Sequence, residues 1–177
     1  MDVAGSAIDL NYGLSASIVP AGTTVTIANA NVTSKSYGNG VAGTVVFENC
    51  TFENANGAYS IHFDSGSGDV VFKNCTLSGW CSFGTAIKSV TMENCTIKGN
   101  GIYAMNRFYQ PATLNNCTID CSNAVLDDVY TDGISAVGAT VTLNGCNINN
   151  DPDMEVSDGG KIVADGVVVA QDTTDGE

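Results

Sequence analysis

The sequence predicts an all-β chain wound as a single-stranded parallel solenoid of about seven coils, and three observations carry that reading. An eight-residue phrase recurs: VVFENCTF at 45–52, VVFKNCTL at 70–77, VTMENCTI at 90–97, ATLNNCTI at 112–119 and VTLNGCNI at 141–148, with fainter copies VTIANANV at 25–32 and IVADGVVV at 162–169. Within each copy the apolar residues alternate and then slip by one, as where Val70 and Phe72 share one parity and Cys75 and Leu77 the other. The slips are separated by 20, 25, 20, 22, 29 and 21 residues. That is too long for hairpins, and no amphipathic helical segment lies between them to make a crossover, so a stack of coils remains.

Each part of the phrase has a physical reason. Alternation of period two marks a half-buried strand. A change of parity needs a corner, and asparagine is, after glycine, the residue that best tolerates the left-handed backbone a corner uses. By alignment the corners are Asn29, Asn49, Asn74, Asn94, Asn116, Gly145 and Gly166, with glycine as the only replacement. Stacking sets like on like about 4.8 Å apart, so Val, Phe, Met, Leu and Ile form apolar ladders. The corner asparagines are expected to face the core and to pass amide hydrogen bonds from coil to coil. A thiol ladder of Cys50, Cys75, Cys95, Cys117 and Cys146 runs beside them, with Ala30 in its place in the first copy.

The Asn-Cys-Thr corner, followed by Phe, Leu or Ile and preceded by a short alternating strand, resembles the right-handed parallel β-helix proteins of the pectate-lyase-like architecture over about residues 23–170. The resemblance implies a right-handed coil. It also implies that polysaccharide lyase or glycoside hydrolase activity must be weighed, with carboxylates holding Ca2+ beside an Arg or Lys base, or carboxylates paired about the scissile bond. No cluster of aspartates on adjacent coils like theirs is present, and the chain is well short of the usual catalytic β-helix.

Length and composition bound the rest. The 177 residues suit one domain, and 44% hydrophobic residues suffice for a long, thin core. Residues 1–22 depart from the repeat and read as an N-terminal cap or first half-coil, 23–170 as the parallel β-helix, and 171–177 as an acidic tail. Six basic against 19 acidic residues give a net charge of −13. That argues against nucleic acid, whose phosphates demand Lys and Arg, and against anionic membrane surfaces. It suits a cationic partner or bound Ca2+. No apolar run is long enough for a membrane span, and the segment after Met1 carries no secretion signal. No C-terminal cap is evident, so either the tail folds over the last coil or the next coil comes from more chain or another subunit, with end-to-end stacking or a homotrimer as the modes of association.

Seven cysteines without a C-x-x-C, five of them in a line, do not suggest zinc or ladder disulfides, and they read as small hydrophobes. Cys81 and Cys121 lie off the ladder and form the one pair open to oxidation or reactivity. A reduced ladder suits a protein folded in a reducing compartment, as a phage structural protein is. The N-x-T matches at Asn31, Asn49, Asn74, Asn94 and Asn116 are not expected to be glycosylated, because four are corners read as facing the core.

Beyond each corner a second strand is expected, at 60–64, 85–89 and 103–109. With Ile61, Phe63, Ile87 and Phe108 pointing in, His62, Asp64, Lys88, Arg107 and Tyr109 point out and line one face. The 29-residue interval holds a carboxylate-rich loop, DDVYTD at 127–132, of the kind that carries function on a rigid scaffold. Tyr130 joins the candidate binding residues there, and Asp127, Asp128 and Asp132 are candidate Ca2+ ligands. The acidic segment 151–158 lacks the glycine and terminal glutamate of an EF-hand. Tyr59, Trp80, Tyr103, Tyr109 and Tyr130 offer rings for sugar stacking. The expected function is non-enzymatic attachment to a carbohydrate or host-surface receptor by a module displayed on a bacterial surface or a phage appendage, with Ca2+ the one cofactor its carboxylates suit. The alternatives are a polysaccharide-cleaving enzyme and a structural virion decoration or spacer.

Overall fold

The computed structural model describes residues 2–10, 13–33, 39–53, 59–101, 103–122, 133–149 and 154–173. Strand β1 (Asp2–Asp9) precedes the repeat, and the first coil is β2 (Thr24–Thr33) and β3 (Asn39–Val41). The second is β4 (Thr44–Glu48), β5 (Thr51–Glu53) and β6 (Tyr59–Gly66); the third is β7 (Asp69–Lys73), β8 (Thr76–Ser78) and β9 (Trp80–Phe83). The fourth is β10 (Ser89–Glu93), β11 (Thr96–Lys98) and β12 (Met105–Phe108), and the fifth is β13 (Ala112–Asn115), β14 (Thr118–Asp120) and β15 (Gly133–Val137). Then come β16 (Thr140–Asn144), β17 (Asn147–Asn149) and β18 (Glu155–Ser157), and last β19 (Lys161–Ala164) and β20 (Val167–Gln171).

Three parallel ladders result. The first runs through the start of β2 and then β4, β7, β10, β13, β16 and β19; the second through β1, the end of β2, β5, β8, β11, β14 and β17; the third through β3, β6, β9, β12, β15 and β18. Register follows the repeat, so Val25, Val45, Val70, Val90, Ala112, Val141 and Ile162 form one column. Rings stack likewise: Phe47 lies 5.3 Å from Phe72, and Phe83 lies between Phe63 and Phe108 at 6.5 and 5.2 Å. All are buried, so the core is a continuous apolar column.

The predicted corners are where the backbone turns. Asn29, Asn49, Asn74, Asn94 and Asn116 have φ between 52° and 58°, and Gly145 and Gly166 lie at 59° and 82°. Their side chains, however, do not face the core: Asn49, Asn74, Asn94 and Asn116 are exposed. At a convex corner the parity slip places two successive residues outside, such as Lys73 and Asn74, before Cys75 returns to the core. The amides still form a ladder on that outer ridge, with Nδ2 of Asn49, Asn74 and Asn94 donating to Oδ1 of Asn29, Asn49 and Asn74 at 3.2, 3.3 and 3.4 Å. Burial therefore does not shield the corner N-x-T sites. Farther along, the Asn144 amide donates to Asn115 Oδ1 at 2.8 Å and the Gly145 N–H to Asp165 Oδ1 at 2.7 Å.

The seven repeat copies close about five turns, since six third-ladder strands bound five intervals. The seventh copy is a hairpin, because β20 folds back antiparallel on β19. Asp165 and Gly166 have consecutive positive φ of 47° and 82°, the requirement of a two-residue type I′ turn, for which Asp-Gly is a leading signal. The first ladder thus ends in a cap the sequence reading did not find. Its Val167, Val168 and Val169 are exposed.

A further correction concerns coil three. Its second strand is β9, Trp80–Phe83, not residues 85–89. Coil three is five residues shorter than coil two: β8 runs into β9 through Gly79 alone, at φ 89°, whereas five residues separate β5 from β6. The seven cysteines carry thiols, and no disulfide links them. Cys81 is buried in the third ladder, where burial pushes its thiol up to about 12, and Cys121 follows β14 on the second, so the two do not pair.

Candidate functional site

The site is built on the outer surface of the third ladder. There the register stacks His62, Ser82, Arg107, Ser135 and Glu155, one per coil. Beside this column His62, Asp64, Ser82, Gly84, Thr85, Arg107 and Tyr109 line a cleft of about 320 Å3. Its floor is rigid, because the residues following His62, Ser82 and Arg107 are the stacked Phe63, Phe83 and Phe108. Bonds to backbone carbonyls fix the rim: Tyr109 N–H donates to Phe83 O at 3.0 Å, and the Gln110 side-chain Nε2 to Thr85 O at 2.7 Å.

Arg107 is held from two sides. Its guanidinium lies 5.9 Å from the centre of the Trp80 ring, and Nη2 stands 3.8 Å from Glu155 Oε2. Trp80 in turn meets Tyr103 with ring centres 5.7 Å apart. Trp80 and Tyr103 are half-buried. His62 is buried, and loss of solvent lowers the proton affinity of its imidazole, an effect the carboxylate of Asp64 opposes. The imidazole is therefore neutral at pH 7. Its backbone oxygen accepts a bond from Asn39 Nδ2 at 3.1 Å, which ties β6 to the first coil.

Of the residues expected on this face, His62, Asp64, Arg107 and Tyr109 come together and Lys88 does not. Lys88 lies past β9 in a second cleft, between the third and first ladders, where Nζ pairs with Asp69 at 3.3 Å and the Ser89 hydroxyl donates to the same carboxylate at 2.7 Å. Ser82 takes its place, for the reason that shortens coil three. Tyr130, Asp127, Asp128 and Asp132 lie outside the described residues. Ser82, Ser135 and Glu155 were missed by the sequence reading. Aligning Phe63, Phe83 and Phe108 as one inward column, rather than counting from corners, finds the first of them.

Chemically the cleft offers a planar cation, hydroxyls, a neutral imidazole, one carboxylate and neighbouring rings. That set hydrogen-bonds and stacks. Among the described residues Asp64 is the only carboxylate lining the cleft, and no three His, Cys, Asp or Glu side chains gather to hold a metal. No helix of the described residues is long and apolar enough to cross a membrane.

The family model described as the right handed beta helix region matches residues 16–174. No curated protein and no solved structure matches the chain. A match over nearly the whole length, on a fold of three parallel ladders with left-handed asparagine corners, places this chain in the right-handed β-helix family.

Proposed function

We propose that the outer face of the third ladder binds carbohydrate, and that the protein is a non-enzymatic attachment module displayed on a cell or virion surface. One contrast carries the reading. The outer face of the first ladder carries Thr26, Val46, Val71, Thr91, Thr113, Thr142 and Val163 beside Glu48, Lys73, Glu93 and Asn115, and that of the second Thr51, Thr76, Thr96 and Thr118 beside Glu53, Lys98 and Asp120, with no ring on either column. The third alone joins Trp80 and Tyr103 to His62, Asp64, Arg107 and Tyr109. Rings beside a guanidinium and hydroxyls are what a sugar needs, apolar CH faces against the rings and hydroxyls against the donors. In this reading Tyr130 is a further binding residue, and Asp127, Asp128 and Asp132 are the ligands of a Ca2+ ion. A second copy meeting the exposed Val167–Val169 strand would give end-to-end assembly.

The test is a polysaccharide panel read in the same wells for bound protein and for new reducing or unsaturated ends, with Ca2+ and with a chelator. Binding without new ends, lost in Arg107→Ala, supports attachment. New ends lost in Asp64→Asn or Arg107→Ala make the protein a polysaccharide-cleaving enzyme instead. Neither signal leaves a spacer or decoration role.

A further inference from the structure

The thiol ladder has a geometry that small hydrophobes alone do not require. Flanking register stacks Cys50 on Cys75, Cys75 on Cys95, Cys95 on Cys117 and Cys117 on Cys146, each one strand spacing from the next. Four are buried, and Cys146 at the end of the row is half-exposed. A backbone donor reaches the row, the N–H of Cys50 donating to Cys75 Sγ at 3.4 Å, and such a donor stabilises a thiolate that has lost its proton. The thiols have backbone carbonyls in reach on their own and the preceding coil, with Cys117 Sγ 3.4 Å from Asn115 O and 3.7 Å from Met92 O, and Cys146 Sγ 3.4 Å from Leu114 O and 3.7 Å from Asn144 O.

Metal–thiolate bonds are about 2.3 Å, so a linear sulfur–metal–sulfur unit spans about 4.6 Å, close to the 4.7–4.9 Å repeat of stacked strands. An ion needing three or four ligands finds no convergent set among the described residues. A soft ion content with two thiolates in line does. We propose that the cysteine ladder binds soft, two-coordinate d10 cations of the cuprous class, seated in line between adjacent sulfurs, with the gap between Cys117 and the half-exposed Cys146 as the entry. In the first such site two S–H bonds break, two metal–sulfur bonds form and two protons leave to solvent, with no change of oxidation state. Thiolates shared between successive ions keep the charge low, since five thiolates and four monovalent ions in the four gaps leave one negative charge. Uptake therefore weakens as pH falls.

The experiment uses the reduced full chain, without oxygen, titrated with Cu(I) delivered as its acetonitrile complex against a chromophoric cuprous chelator, with X-ray absorption of the loaded protein. Alanine is already accommodated at this position by Ala30, so Cys117→Ala retains the fold, and Cys81→Ala serves as the off-ladder control. The wild type and Cys81→Ala are expected to take up copper with two sulfur neighbours. Cys117→Ala removes two of the four gaps and is expected to hold about half as much. Undiminished uptake in Cys117→Ala, no uptake by the wild type, nitrogen or oxygen as nearest scatterers, or loss of the β circular dichroism on loading would each overturn the proposal.

Discussion

Arg107 and Glu155 stand two coils apart and aim at a shared point: the guanidinium Nη2 lies 3.8 Å from Glu155 Oε2, the same oxygen that accepts the Ser135 hydroxyl at 2.7 Å. At that distance the arginine contact is an ion pair and not a hydrogen bond, so the guanidinium retains donors for a ligand. Part-exposed pairs of this kind are worth about 0–1 kcal/mol. Glu155→Gln is therefore expected to leave the denaturation midpoint nearly unchanged while strengthening binding of a carboxylate-bearing glycan several-fold. Arg107→Ala is expected to abolish that binding. Calorimetric titration of both variants checks this, and equal affinities for wild type and Arg107→Ala would remove the site.

The corners give a second prediction. With φ at 54°, Asn94→Leu pays the left-handed penalty of about 1–2 kcal/mol, and the exposed amide ladder adds little. Asn94→Gly is expected to be tolerated, as Gly145 already is. Urea midpoints of the two variants should differ in that order, and an indifferent Asn94→Leu would count against the corner conformation as a source of stability.

The largest stability effect is expected from the floor of the cleft. Phe83 is fully buried between Phe63 and Phe108 and meets Phe72 edge-on at 5.8 Å. Phe83→Ala leaves a ring-sized void at about 3–5 kcal/mol and loosens the support of Ser82 and Arg107. Denaturant unfolding measures it, and a loss below that of Asn94→Leu would contradict the packing.

His62 predicts a pH dependence. Its folded pKa is lowered, first by burial and against the pull of Asp64, so the unfolded chain binds more protons than the folded one below about pH 6.5. Stability is full above that value and falls as the pH drops through it. His62→Gln should flatten the midpoint between pH 7 and 5 relative to wild type, whereas an unchanged slope would assign the dependence to other groups.

Much of the fold was legible because the repeat records backbone need directly: seven aligned corners all adopt positive φ. What was misread followed from treating the copies as equivalent. Counting from Asn74 placed Lys88 where Ser82 stands, since no local signal told that β8 passes to β9 through one glycine. Asp165-Gly166 aligns with the corners although the same dipeptide is a hairpin signal, and only the neighbouring coils decide between them. The shared outward position of Arg107, His62, Asp64 and Tyr109 is legible from alternation together with the count from their corners. That of their partner Glu155 is not, because it lies beyond the longest interval, where counting loses register.

The Asn144-Gly145 corner bears on how this protein ages. Asparagine followed by glycine is the sequence most prone to deamidation, which begins when the glycine nitrogen attacks the asparagine side-chain carbonyl. Here that nitrogen is committed to Asp165 and the side chain to Asn115. The hairpin that caps the first ladder therefore also stops a chemical clock, and the corner keeps its amide for as long as the last strands stay folded.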